Sequence, residues 1–236
     1  MKKGLILMLT VWLLAGCAPE PEEVLNQAKA KLDQGKFKEA ISLLDEVVKL
    51  DPANSDAFNA RGVAYFNLEE LGDAMMNFDK AIELDSSQYK FFYNRGNTYR
   101  KMADPQNAIQ DYTQALDRDK SHYDIYLNRG LAYLNLKQPD KAVLDLNKAG
   151  SMAPDDANIY LYRGKAHLYL EKFAASADDL EKCIKLNKNL GEAYHYLALA
   201  KVGINGAANQ EICDLLDKAI ALNYSDSKEL KDFYCK

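Results

Sequence analysis

Small and large apolar residues in this chain return to the same places every 34 residues. With frames opened at Pro21, Ser55, Tyr89, Tyr123 and Ala157, the eighth column holds Ala28, Gly62, Gly96, Gly130 and Gly164. The twentieth holds Ala40, Ala74, Ala108, Ala142 and Ser176, and the twenty-seventh holds Val47, Ala81, Ala115, Ala149 and Cys183. Bulk sits between them. The fourth column is aromatic from the second frame on (Phe58, Phe92, Tyr126, Tyr160, with Tyr194 beyond), and the twenty-fourth reads Leu44, Phe78, Tyr112, Leu146 and Leu180. Small side chains at fixed places let two helices approach to ~8–10 Å, and the aromatics supply the mass that fills the space between neighbouring pairs. Pro105 and Pro139 fall at the first turn of the second helix of their frames, where a missing N–H costs nothing. Pro21, with Glu22 and Glu23 behind it, suits a helix start and its positive dipole end. The pattern predicts helix pairs, repeated over residues 21–190, that bury their faces only by stacking.

Column by column, these residues resemble the tetratricopeptide repeat, a helix–turn–helix unit. The resemblance covers five units over residues 21–190 without insertion. It implies an all-α right-handed superhelix of stacked units whose inner surface is lined by the first helices. Residues 191–236 read as a degenerate sixth unit and a closing helix. Residues 193–202 form its first helix, "GINGAANQ" interrupts, and residues 211–222 form its second. There "DKAIAL" echoes the "DKAIEL" of the second unit, and residues 226–234 close the stack.

Composition narrows the function. The chain has 236 residues, 48% of them hydrophobic, with a formal charge of -5, so a folded core is expected and a basic nucleic-acid face is not. Its first residues stand apart. "MKKGLILMLTVWLLAGC" carries two lysines, an apolar run too short for a ~20-residue membrane span, then small residues before Cys17. This reads as an export signal over residues 1–16, the alternative being an N-terminal anchor that stays attached. "LAGC", ending at Cys17, resembles the lipobox of bacterial lipoproteins. That resemblance implies cleavage before Cys17, acylation of Cys17 and attachment to a membrane. Ala18, in place of an aspartate, implies the outer membrane of a bacterial envelope. Residues 17–20 are then a short tether of ~14 Å or less.

On the inner surface, the resemblance turns columns two, five, six, nine, twelve and thirteen toward the groove. Column six holds Asn26, Ala60, Asn94, Asn128 and Tyr162. An asparagine amide offers a donor and an acceptor in one plane, and can hold a peptide unit whatever its side chains are. One amide per unit, ~10 Å apart, meets about every third residue of an extended strand. The other reading is a tolerated polar residue on a wet helix face. Asn59, Tyr93, Asn97, Arg100, Lys165 and Tyr169 surround this column and complete a candidate groove for an extended peptide. The two-carboxylate clamp of some relatives is absent: starting at the second unit, its five positions carry Asn59, Val63, Asn94, Asp124 and Asn128, without the required cations. Arg61, Arg95, Arg129 and Arg163 fill column seven, which faces away from the groove, and are expected to pair with carboxylates of an adjacent helix.

Nothing in the sequence carries catalysis. His122, His167 and His195 are dispersed, no metal-ligand spacing or phosphate loop occurs, and no cofactor or metal is expected. Cys183 takes an alanine column and reads as a small buried hydrophobe. Cys213 and Cys235 are left either as a disulfide that staples the closing helix, permissible outside the cytoplasm, or as two free thiols. The expected function is a lipid-anchored, non-enzymatic scaffold for a protein or peptide partner in the envelope. A receptor for a glycan or muropeptide is the alternative. Self-association leaves no mark in the sequence.

Overall fold

The computed structural model describes residues 20–207 and 209–235, so the export signal, Cys17 and its lipid lie outside the described residues. Thirteen helices occur among them. They are α1 (Pro21–Asp33), α2 (Phe37–Leu50), α3 (Ser55–Asn67), α4 (Leu71–Leu84), α5 (Tyr89–Lys101), α6 (Pro105–Arg118), α7 (Tyr123–Asn135), α8 (Pro139–Met152), α9 (Ala157–Tyr169), α10 (Phe173–Leu186), α11 (Gly191–Asn205), α12 (Gln210–Ala221) and α13 (Ser227–Tyr234). Each helix packs on the next, and successive first helices touch along the inner side of a right-handed superhelix.

The eighth column explains the close pairing. A Cβ on Gly62 would lie 2.6 Å from the Phe78 ring, one on Gly164 2.7 Å from Leu180, and one on Gly96 2.9 Å from Tyr112. In the second to fifth units the twenty-fourth residue therefore presses on the backbone of the eighth. The core follows as a row of buried clusters along the stack, such as Ala108, Tyr112, Ala115 and Ile125 around α6.

Two turns repeat as faithfully as the helices. Within each of the first five units the chain reverses through a residue with positive φ: Gly35 (70°), Glu69 (64°), Ala103 (58°), Lys137 (55°) and Glu171 (56°). The N–H one residue further on donates back across five residues, as Glu70 N–H does to the Tyr65 carbonyl at 3.0 Å, and so occupies a carbonyl the helix end leaves open. Between units an Asp or Asn side chain holds the bend. Asp85 accepts from Ser87 N–H at 2.8 Å, and Asp119 does so from Ser121 N–H at 2.8 Å.

The column-seven arginines are braces. Each one reaches forward to the second helix of its own unit and back to the second helix of the unit before. Arg95 grips Asp111 through Nε (2.8 Å) and Nη2 (2.7 Å), and Asp79 through Nη1 (2.7 Å). Arg129 holds Asp145 and Thr113, Arg163 holds Asp179 and Asn147, and Arg61 holds Asn77 and Asp45. Asp111, Asp145 and Asp179 are all buried, so these are bidentate pairs in a site largely shielded from water. The hydrogen bond to Asp111 holds Arg95 more firmly protonated than a free guanidinium.

At the far end α11 runs longer than its sequence suggests, from Gly191 to Asn205 rather than 193–202, because nothing stops it before Gly206 adopts φ 71°. The loop after it leads into α12, and α13 packs on α12. Cys213 and Cys235 form a disulfide with a Cα–Cα separation of 5.8 Å, which ties the end of α13 to α12. Cys183 is free and buried, and burial pushes its thiol up to about 11. Among the described residues no helix is long and apolar enough to cross a membrane.

Candidate functional site

The inner surface is assembled from one face of α3, α5, α7, α9 and α11. Asn94 and Asn128 stand in register on α5 and α7, both half-buried and neither turned into the core. Each is steadied by the preceding first helix. Asn94 Nδ2 donates to Asn59 Oδ1 at 2.8 Å, and Asn128 Nδ2 donates to the Tyr93 hydroxyl at 3.1 Å. Column five of one unit thus orients column six of the next. An amide has two N–H donors and an acceptor oxygen, so each keeps one donor and its carbonyl for a ligand. Asn97, one turn along from Tyr93, accepts from the Tyr112 hydroxyl at 2.8 Å. Burial pushes the Tyr93 hydroxyl up to about 12, so it remains a neutral hydrogen-bonding group across the ordinary pH range.

Toward α9 the surface changes character. Arg100, Leu131, Leu134, Asn135, Tyr162, Lys165 and Tyr169 line a cavity of about 250 Å³ that spans α5, α7 and α9. Four candidate residues from the sequence meet here: Arg100, Tyr162, Lys165 and Tyr169. Lys165 is already engaged, donating to Glu192 at 2.6 Å and lying 4.6 Å from the Tyr196 ring centroid. Tyr162 is raised above the ordinary tyrosine value by burial, then by Glu192, against the pull of Lys165 and Arg100. Tyr169 is 62% exposed.

Asn26 does not join this group. It is exposed on α1, in a shallow depression with Glu20, Glu22, Glu23 and Gln27 at the open end of the stack. Ala60 stands buried between it and Asn94. The amide row is therefore two residues long. Among the described residues α13 packs on α12, Ser227 at its start meets His195 of α11, and no residue of α13 lines the cavity between α5, α7 and α9.

The histidines have structural surroundings. His195 is buried, with Nδ1 2.9 Å from the Ser227 hydroxyl at the start of α13, and burial lowers its pKa. His167 lies 3.7 Å from Asp179, the partner of Arg163, and burial lowers its pKa also. Among the described residues no group of three His, Cys, Asp or Glu side chains is disposed around a metal position.

The architecture is that of a superhelical helix-pair repeat protein with an open inner groove. Two family models, both described as tetratricopeptide repeat, match the chain, one over residues 25–89 and 93–157 and the other over 157–190. The chain belongs to the tetratricopeptide repeat family. No curated protein sequence matches it significantly. Among solved structures it is similar to MamA of Desulfovibrio magneticus RS-1, with 20% identity, 72% of this chain and 97% of that one covered, and a TM-score of 0.67. It is also similar to YrrB, described as a TPR protein with an unusual peptide-binding site (18% identity, 80% and 97% covered, TM-score 0.70). A repeat protein of Cytophaga hutchinsonii shares 20% identity, with 86% and 83% covered and a TM-score of 0.70. At these identities the likeness is one of fold.

Proposed function

We propose that the chain is a non-enzymatic adaptor that holds an extended segment of a protein partner in its inner groove while lipid on Cys17 keeps it at the bacterial outer membrane. The observation that carries the binding half is the pair Asn94 and Asn128, held in register on successive first helices by Asn59 and Tyr93. Fixing an amide before the ligand arrives lowers the entropy lost on binding. An amide every ~10 Å matches three residues of a strand at ~3.3–3.6 Å each, so the pair spans one such step. At α5 and α7 no residue of α13 lines the cavity beside the amides, which leaves that strand room.

The membrane half rests on "LAGC" behind a short apolar run. A tether of ~14 Å at full extension would hold the superhelix against the bilayer. A sugar-receptor reading draws on the exposed ring of Tyr169. It is weakened at Tyr93, which is half-buried and whose hydroxyl is taken by Asn128.

Crosslinking and recovery from membranes, comparing the wild type with Asn94→Ala/Asn128→Ala, tests the binding half. Loss of the partners recovered by the wild type is expected. Equal recovery by both sinks the amide grip. Cys17→Ser tests the anchor: the protein should leave the membrane fraction, and continued sedimentation with membranes overturns the lipid assignment.

A further inference from the structure

The cavity between α5, α7 and α9 holds two cations, and one of them has no carboxylate partner among the described residues. Of the positive groups near the rims of the groove, Lys90 pairs with Asp56 at 2.8 Å, Lys101 with Glu69 at 2.9 Å and Lys165 with Glu192 at 2.6 Å. Arg100 has no carboxylate within ion-pair distance among the described residues, and it sits at the mouth of the cavity that Leu131, Leu134, Tyr162 and Tyr169 line. The column-seven arginines, by contrast, all carry two partners. The cavity thus combines the leucines Leu131 and Leu134, the rings of Tyr162 and Tyr169 and the Asn135 amide with one cation, Arg100, that has no carboxylate partner.

We propose that this cavity is an anchor pocket that takes one aromatic side chain of the bound segment and pairs Arg100 with the carboxylate of the acidic residue next to it. The proposal rests on the groove reading and adds to it a sequence preference and a register. The volume of about 250 Å³ exceeds the ~150 Å³ that suffices for a benzene ring. The position also fits. The amides that would hold the backbone lie in column six, while Leu131 and Leu134 lie in columns nine and twelve. These are one and two helical turns along, at ~5.4 Å per turn, which is within reach of a phenyl side chain projecting from that backbone. Arg100 lies one helix before this pair, so a carboxylate beside the anchored ring meets its guanidinium, which can bind it bidentately. Arg100, Leu134 and Tyr169 stand in columns twelve and thirteen, outside the two-carboxylate clamp, whose cations this chain lacks.

The test uses the full-length protein in detergent and fluorescein-labelled decapeptide pools, acetylated at one end and amidated at the other. Each pool has a fixed central pair in a random background: Phe-Glu, Phe-Lys, Phe-Gln or Ser-Glu. Fluorescence anisotropy should give about tenfold tighter binding for Phe-Glu than for Phe-Lys or Ser-Glu. Arg100→Glu should reverse the preference so that Phe-Lys binds better. Tyr169→Ala, also at an exposed position, should weaken every Phe pool and leave the Glu-to-Gln ratio unchanged. Far-UV circular dichroism of both variants should match the wild type. Pools that bind equally, yet lose binding in Asn94→Ala/Asn128→Ala, overturn the pocket and leave the groove reading standing. Failure of every pool overturns both. A pool ending in Phe with a free carboxylate that outbinds Phe-Glu replaces the internal acidic residue with capture of a chain terminus and overturns the assignment.

Discussion

Replacing Arg95 by methionine removes the brace with the most charge on it. Its main partner, Asp111, has a side chain only 5% exposed and receives both of its hydrogen bonds from the guanidinium. Breaking a buried pair from one side costs about 3–5 kcal/mol, because the remaining charge has no compensation. Protonation sets a ceiling: neutralising an ordinary carboxylate at pH 7 costs ~4 kcal/mol, from about three units at 1.36 kcal/mol each. The second partner, Asp79, is 55% exposed and adds at most ~1 kcal/mol. The total is therefore about 3–5 kcal/mol for Arg95→Met. Arg61 offers an internal control. It occupies the same column, but its buried partner is the neutral Asn77. Losing it leaves one acceptor unmatched, at about 1–2 kcal/mol. Urea unfolding followed by far-UV circular dichroism at pH 7 measures both, and amide exchange in α5 and α6 localises the loss in an array that need not unfold as one unit. Arg95→Met/Asp111→Leu should recover most of the stability, since an apolar pair of similar volume replaces the ionic one. Equal costs for Arg95→Met and Arg61→Met, or no recovery in the double variant, would refute the reasoning.

Three further outcomes follow from other contacts. Gly62→Ala places a Cβ 2.6 Å from Phe78 and should destabilise by about 1–2 kcal/mol despite its better helix propensity, whereas Gly150→Ala, whose nearest contact is 3.5 Å, should stabilise by ~0.5–1 kcal/mol in the same thermal melt. Reducing the Cys213–Cys235 bond, which closes a 22-residue separation, should cost about 3 kcal/mol locally, read as faster amide exchange in α12 and α13 with α1–α8 unchanged. His195 is held neutral by burial beside Ser227, Tyr196 and Tyr224. Its folded pKa is below the unfolded one, so the unfolded chain takes up the proton first as pH falls through ~6.5. The stabilisation present at neutral pH is then lost on acidification. Melts at pH 7.5 and 5.5 should show a drop that His195→Gln reduces, and an unchanged drop in that variant removes His195 as the cause.

Much of the fold was legible because it is periodic. Glycine against a bulky twenty-fourth residue, as at Gly164 and Leu180, shows as two columns in the sequence itself. Column seven was correctly expected to face carboxylates. The particular partners also leave a signal in the sequence: Asn77, Asp111, Asp145 and Asp179 recur in column twenty-three, and Asp45 and Asp79 in column twenty-five. Charge alone does not reveal that one arginine serves two units, because that depends on how the second helices lie side by side. The groove was half legible. Column six picked out Asn94 and Asn128, but their links to Asn59 and Tyr93 join residues 35 apart and exist only once the helices stack. Leu131 and Leu134 fall in columns nine and twelve, which face the groove, but only three successive first helices together make them a cavity wall.

The positive-φ positions at Glu69, Ala103, Lys137 and Glu171 have one further consequence. Their side chains differ in charge and length, are all exposed, and share nearly one backbone shape. Spectroscopic labels attached there would mark the solenoid at intervals of 34 residues on equivalent local frames. Distances among four such marks then report pitch and winding directly, so that tightening of the coil around a captured strand becomes a measurable change in spacing along a built-in ruler.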